Sequence, residues 1–228
     1  MLDIKNNLES VRQRVAASCR ACGRDPAQVG LLAVSKTFGP EAVAQAYAGG
    51  QLAFGENYIQ EAVEKIQALA ALPLQWHCIG PVQSNKTRLV AEHFDWVQSI
   101  DRLKIAERLS AQRPPARGLL QVCIQVNIDG EPSKSGVPAE EALALAQAVA
   151  ALPGLRLRGI MTIPEPAASK AAALAVHRRA KDLFAQLRSA GLDLDTLSMG
   201  MSGDLEPAIE AGSTLVRIGS AIFGARSA

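Results

Sequence analysis

No stretch of this chain reaches the roughly 18 uninterrupted apolar residues of a membrane span. Residues 1–15, MLDIKNNLESVRQRV, also lack the apolar segment of a secretory signal. Both absences predict a protein that stays on the side of the membrane where it is made. Charge imbalance is missing too. Lys and Arg number 24 against 22 Asp and Glu, a net charge of +2, and the two signs are interspersed. That leaves no electrostatic footprint for a nucleic acid or a membrane surface. The nearest basic run, His177-Arg178-Arg179 with Lys181, falls in an amphipathic helical pattern and reads as a solvated helix face. Cysteine is sparse. Cys19 and Cys22 form one C-x-x-C, but Cys78 and Cys123 stand alone, so a zinc site lacks its second half. The pair also lies in a helical pattern, whereas a redox C-x-x-C follows a strand. The four read as inert thiols in a reducing cytoplasm, which is the location expected.

What is present is a steady alternation. The 228 residues are 48% hydrophobic and 20% charged, enough for a sizeable core. Residues 3–21 form a first helical pattern, with Leu8, Val11 and Val15 on one face. Short apolar runs follow at 29–35, 51–54, 74–80, 94–99, 119–128, 155–161, 196–199 and 214–219. Amphipathic segments separate them, such as Ile59, Val63, Ile66 and Leu69, or Val176, Ala180, Leu183, Phe184 and Leu187 ending at Gly191. Eight strand–helix alternations predict an α/β fold, a single (β/α)8 TIM-type barrel with an extra N-terminal helix. The Pro/Gly-rich stretches at 113–118 and 129–138 read as loops within that rhythm, so residues 1–228 are expected to form one domain. No exposed heptad is evident, and a monomer is the default expectation.

In such a barrel, chemistry belongs to the C-terminal ends of the strands. Strand 1 ends in Ser35-Lys36-Thr37, strand 2 in Gly55-Glu56-Asn57-Tyr58, and strand 3 carries His77. Strand 7 runs into SMGMSGD, and strand 8 carries Arg217 before Gly219-Ser220. The loops after strands 7 and 8 are a frequent phosphate site, and Ser202, Gly203, Gly219 and Ser220 offer N–H and hydroxyl donors there. The same serines read equally as helix caps. Lys36 has two readings: an amine nucleophile, its pKa lowered by a desolvated mouth, or a structural lysine that snorkels to solvent or pairs with Glu56. Arg217 shifts the balance, because a permanent cation inside the mouth needs a partner, and an arginine facing a pyridine nitrogen recurs in pyridoxal phosphate (PLP) sites. A lysine for the aldehyde, two loops for the phosphate and an arginine for the ring would clamp that one cofactor. His77 either stacks near the ring or is a hydrogen-bonded core histidine. Gln83, Asn85 and Lys86 either gate the mouth or simply open a helix. Lys134, in the loop after strand 5, is a further amine that could form a second Schiff base.

The stretches AVSKTF, FGENYIQE, WHCIGPVQSNKTR, SIDR, QVNI…SKSG and LSMGMSGDLEPAIEAGSTLVRIGSAIFG closely resemble the pyridoxal phosphate homeostasis protein family. The resemblance runs from about residue 29 to 226. It implies a barrel like the N-terminal domain of alanine racemase, with PLP held as a Schiff base on Lys36. It also implies cofactor contacts from Asn57, Ser202, Arg217, Gly219 and Ser220, with His77 a further candidate. Gly203 and Leu205 sit in variable slots of the pattern, and Ser220 stands where threonine is common. The role implied is intracellular vitamin B6 homeostasis, as a carrier or regulator that hands PLP to PLP-dependent apoenzymes, without strong catalysis of its own. The alternative is a small PLP-dependent amino-acid racemase, which needs a second base opposite the lysine. The only tyrosines are Tyr47, in the helix after strand 1, and Tyr58, beside Asn57.

Overall fold

The structure, a computed structural model, describes residues 3–131 and 134–224. Helix α1 (Ile4–Ala21) starts where the Asp3 carboxylate accepts from the Asn6 N–H at 3.0 Å. It buries one stripe, Ile4, Leu8, Val11, Val15 and Cys19, at the spacing of a 3.6-residue turn. Then follow β1 (Gly30–Val34), α2 (Pro40–Ala48), β2 (Ala53–Glu56), α3 (Ile59–Ala68), β3 (Gln75–Cys78), α4 (Thr87–His93), β4 (Trp96–Ile100), α5 (Leu103–Gln112) and β5 (Leu120–Asn127). The second half runs β6 (Val137–Pro138), α6 (Ala142–Ala150), β7 (Leu155–Met161), α7 (Lys170–Ser189), β8 (Thr196–Ser198), α8 (Leu205–Glu210), β9 (Leu215–Ile218) and α9 (Ser220–Phe223).

All strand pairs are parallel. The ring runs β1-β2-β3-β4-β5-β7-β8-β9 and closes on β1, with Gly30 opposite Leu215 and Ala33 opposite Ile218. This is the expected TIM-type (β/α)8 barrel, and each of the eight expected strands is there. The two-residue β6 was not expected; it pairs with the far end of β5 outside the ring.

Parity along the strands sorts the side chains. Residues such as Ala33, Phe54, Val97 and Val122 face outward into the main core under the helices. Leu32, Val34 and Ile79 form a separate apolar cluster inside the barrel. Gly55 makes room for it, since a Cβ there would lie 3.0 Å from Leu32 and 3.1 Å from Ile79. The other side of the interior sets a second apolar cluster, Trp96, Cys123 and Met161, beside buried polar groups: His77, Gln98, Ser198 and Arg217. Helix α1 and the turn after it brace the last two units. Asn7 Nδ2 donates to the Ile222 carbonyl at 3.0 Å, Arg24 to that of Ile209 at 2.7 Å, and Arg14 grips Glu206 with two bonds of 2.6 and 2.8 Å. Among the described residues, no helix is long and apolar enough to cross a membrane.

Candidate functional site

A pocket of about 400 Å³ opens at the C-terminal ends of β1, β2, β3, β7, β8 and β9. Six of the seven candidate residues line it: Lys36, Asn57, Ser202, Arg217, Gly219 and Ser220. Strand parity explains the gathering. Lys36 continues the inward series Leu32, Val34; Arg217 and Gly219 continue Leu215; and Asn57 follows Gly55. Volume and lining suit a small phosphorylated ligand, with apolar walls and a few convergent polar groups.

Lys36 is half-buried in the turn two residues past the end of β1, and the residue after it is unusual. Thr37 has φ +70°, the only positive φ outside glycine among the described residues. A β-branched residue there costs roughly 1–3 kcal/mol, so its surroundings must impose it. Glu61 does so in part: its Oε1 accepts from the Thr37 N–H at 2.8 Å. Glu61 is in turn paired with the buried Lys65, whose Nζ also donates to the Ser35 carbonyl and to Glu56 Oε1, both at 2.9 Å. The Ser35 hydroxyl adds a bond of 2.6 Å to the same Glu56 oxygen. Burial pushes the Glu56 carboxyl up, against the pull of Lys65 and Ser35. The buried ammonium paired with Glu56 is that of Lys65. Sequence reading missed this network because a lysine at the fourth position after Glu61 looks like an ordinary surface helix pair.

Arg217 forms the floor, 4% exposed. Its Nη1 donates to Ser198 Oγ at 2.7 Å and its Nη2 to the Thr162 carbonyl at 2.9 Å. Burial pushes its pKa down to about 10, offset in part by Asp204, so it remains cationic at neutral pH.

The loop after β8 is shaped from below. Asp204 Oδ1 accepts from the Met201 N–H at 2.6 Å, and Oδ2 bonds His177 Nε2 at 2.9 Å, a residue of α7 that is fully buried. Despite burial, these bonds hold the Asp204 carboxyl below the usual range. The caps expected from the two serines differ. Asp204 caps α8 and Gly219 caps α9, while Ser220 is the first helical residue and Ser202 precedes the cap by two. Gly219 is required for close approach: a Cβ there would lie 3.1 Å from the Val34 carbonyl. Gly80 similarly admits the Asn57 backbone, whose carbonyl oxygen would be 2.3 Å from a Cβ.

His77 is placed elsewhere. It does not line the pocket but lies inside the barrel, 2% exposed, stacked on Trp96 with ring centroids 5.0 Å apart. Of its two readings, the structure matches the hydrogen-bonded core histidine. Lys134 is also outside the lining; its Nζ pairs with Glu165 of the loop after β7 at 2.8 Å. The Gln83–Lys86 segment is a short 3-10 turn leading into α4, and it too is absent from the lining. Cys19 and Cys22 are free thiols on α1, and the described residues hold no group of three or more potential metal ligands.

The fit to a phosphorylated, hydroxylated pyridine aldehyde rests on the donor set. The lining has one amine, one guanidinium and a pair of serine–glycine loops, and Asn57 Oδ1 is a buried acceptor with no partner among the described residues. That combination answers an aldehyde, a ring nitrogen, a phosphate and a ring hydroxyl.

Comparison with known proteins agrees with this geometry. The alanine racemase N-terminal domain family matches residues 3–227. A pyridoxal phosphate homeostasis protein of Pseudomonas aeruginosa is 58% identical, over 99% of this chain and 97% of its own. One from Escherichia coli is 54% identical, with 99% and 98% covered. The solved structure of PipY from Synechococcus elongatus with PLP bound superposes with a TM-score of 0.84 at 36% identity, covering 97% of this chain and all of that one. The alanine racemase of Corynebacterium glutamicum, at 17% identity and TM-score 0.68, shares the fold over 96% of this chain but 61% of the enzyme. The chain therefore belongs to the alanine racemase N-terminal domain family and, within it, to the pyridoxal phosphate homeostasis proteins.

Proposed function

We propose that this protein binds PLP in the barrel mouth through a covalent bond to Lys36, and acts in vitamin B6 homeostasis as a carrier that passes PLP to PLP-dependent apoenzymes. The names of its relatives and the bound PLP of PipY support the ligand. The observation that carries the assignment is the lining itself: Lys36 and Arg217 are its only titratable side chains among the described residues. Lys36 would be the amine that bonds the aldehyde carbon, with water as the group released. Ser202, Gly219 and Ser220 hold the phosphate with hydroxyl and N–H donors, and Asn57 turns its amide to the ring. Lys134 is left out, because it does not line the pocket.

The same lining argues for holding over turnover. PLP when bound supplies an electron-withdrawing ring for carbanion chemistry, strongest when the ring nitrogen is protonated. Arg217 offers that nitrogen donors only, so a ring nitrogen facing it stays unprotonated. Racemisation also needs an acid–base group across from the lysine. Tyr58, the nearest candidate in sequence, is 53% exposed and does not line the pocket.

Two measurements test this. Adding PLP to the purified protein should produce the absorbance of a lysine-bound aldehyde, absent in Lys36→Ala; an unchanged spectrum in the wild type rules out the covalent site. Alanine incubated with the loaded protein in deuterated water should keep its α-hydrogen and its configuration. Rapid, stereo-randomising exchange would establish the racemase instead.

A further inference from the structure

From the polar part of the barrel interior to the N-terminal end of β3 runs one continuous chain of hydrogen bonds. Arg217 Nη1 donates to Ser198 Oγ at 2.7 Å; the Ser198 hydroxyl donates to Gln98 Oε1 at 2.6 Å. Gln98 Nε2 then meets His77 Nδ1 at 2.9 Å, and His77 Nε2 meets Gln75 Oε1 at 3.1 Å. The chain crosses from β9 and β8 to β4 and β3, and Arg217, Ser198, Gln98 and His77 are all buried.

Its direction follows from the donors. A guanidinium has no acceptor, so Ser198 Oγ must receive from Arg217. The serine proton then needs an acceptor, which is Gln98 Oε1, and that fixes the amide with Nε2 toward His77. His77 Nδ1 is thereby the acceptor, and the ring carries its proton on Nε2, donated to Gln75. Reversing Gln98 would leave the Ser198 proton unanswered in a dry interior, which costs more than the bond itself contributes. Each link therefore has one orientation.

We propose that His77 and Gln98 are positioning residues for Arg217: through Ser198 they lock the guanidinium in one plane, so that its lining edge presents N–H donors to the cofactor ring. This rests on the PLP reading above and adds two residues that do not line the pocket. The Thr162 carbonyl fixes the second corner of the guanidinium, at 2.9 Å, so the plane is set by two points. Burial keeps the imidazole neutral, its pKa lowered to about 3, so the acceptor at Nδ1 persists across the physiological range.

The test combines PLP titration with nitrogen NMR of the PLP-free protein. Ser198→Ala, which removes the direct contact to a charged group, should weaken PLP binding by about tenfold or more. Gln98→Leu and His77→Leu should weaken it by roughly threefold to tenfold. His77→Asn, whose amide oxygen occupies the place of Nδ1, should stay within about twofold of the wild type. Leu8→Ala, on α1 and outside the pocket lining, serves as the control, lowering stability with unchanged affinity. In the PLP-free wild type, 15N shifts should show His77 neutral with its proton on Nε2. The Arg217 guanidinium protons should exchange slowly in the wild type and His77→Asn but fast in His77→Leu. A His77 proton on Nδ1 overturns the proposal. So does wild-type affinity in both leucine variants, or equal loss in His77→Asn and His77→Leu. Should the wild type take up no PLP, the cofactor reading fails on its own, and Arg217 exchange still decides whether His77 sets its plane.

Discussion

At the residue scale, the two buried histidine and carboxyl environments act on stability in opposite directions. His77 is neutral in the folded barrel, with a pKa near 3 against 6.5 when exposed. Between those values the unfolded chain binds a proton that the folded one refuses, so stability is full above pH 6.5 and falls as pH drops toward 3. From pH 6.5 to 5 this amounts to about 2 kcal/mol. Glu56, whose carboxyl is pushed up, contributes the reverse slope at acid pH. The expected outcome concerns a difference: urea unfolding of His77→Asn should lose less stability over that interval than the wild type, by about 2 kcal/mol. Equal slopes would place His77 in a wetter site than its 2% exposure states. Lys36 and Arg217 were legible in the sequence because inward parity and strand ends mark them. The rest of this scale was not. Thr37 at φ +70° and the role of Gln98 depend on which strands neighbour each other and at what register, and a local pattern holds neither.

Among elements, the eight barrel strands and α1 could be read to within about two residues, since each is a short apolar run between helical periods. The alternative reading of Ser202 as a cap fails for a local reason: Asp204 stands at the N-cap position of α8, and its carboxylate, making no cap bond to the helix, is spent on the Met201 N–H and His177. Packing between elements supplies two predictions. Leu8 is fully buried where α1 meets the barrel, so Leu8→Ala should cost about 2–5 kcal/mol in denaturant unfolding. Gly80 follows β3 and touches the Asn57 backbone after β2. A Cβ at Gly80 would sit 2.3 Å from the Asn57 carbonyl and 2.8 Å from its Cα. Gly80→Ala must therefore push the Asn57 loop away, at a cost of about 1–3 kcal/mol. Because Asn57 lines the pocket, PLP affinity should fall with it, whereas Leu8→Ala should leave affinity intact. A Gly80→Ala protein with unchanged affinity would show that Asn57 does not contact the ligand.

For the whole molecule, the pocket takes its polar side chains from the ends of the first two and last two strands of the ring, so occupancy ties the two ends of the barrel together. A ligand that binds only the folded state stabilises it by about 2.7 kcal/mol at one hundred times its Kd. For a chain of this size each kcal/mol moves Tm by roughly 2–4 °C, which predicts a rise of about 5–10 °C with PLP. Pyridoxal, which has the aldehyde and ring but no phosphate, should give a much smaller rise at equal concentration, because it leaves the loops after β8 and β9 unanswered. Arg217→Met, similar in length but without donors, should diminish the PLP response while leaving the aldehyde reaction at Lys36 possible. Lys36→Ala keeps the phosphate loops and the guanidinium and loses only the covalent link, so it should retain a smaller, fully reversible shift. A barrel with no use for PLP predicts identical melting with and without it in every variant. The graded series separates the amine, the guanidinium and the loops as three anchors. It also bears on release: a carrier needs a bond that water can break and anchors weak enough to let the freed aldehyde leave. The reversible shift in Lys36→Ala measures those anchors alone.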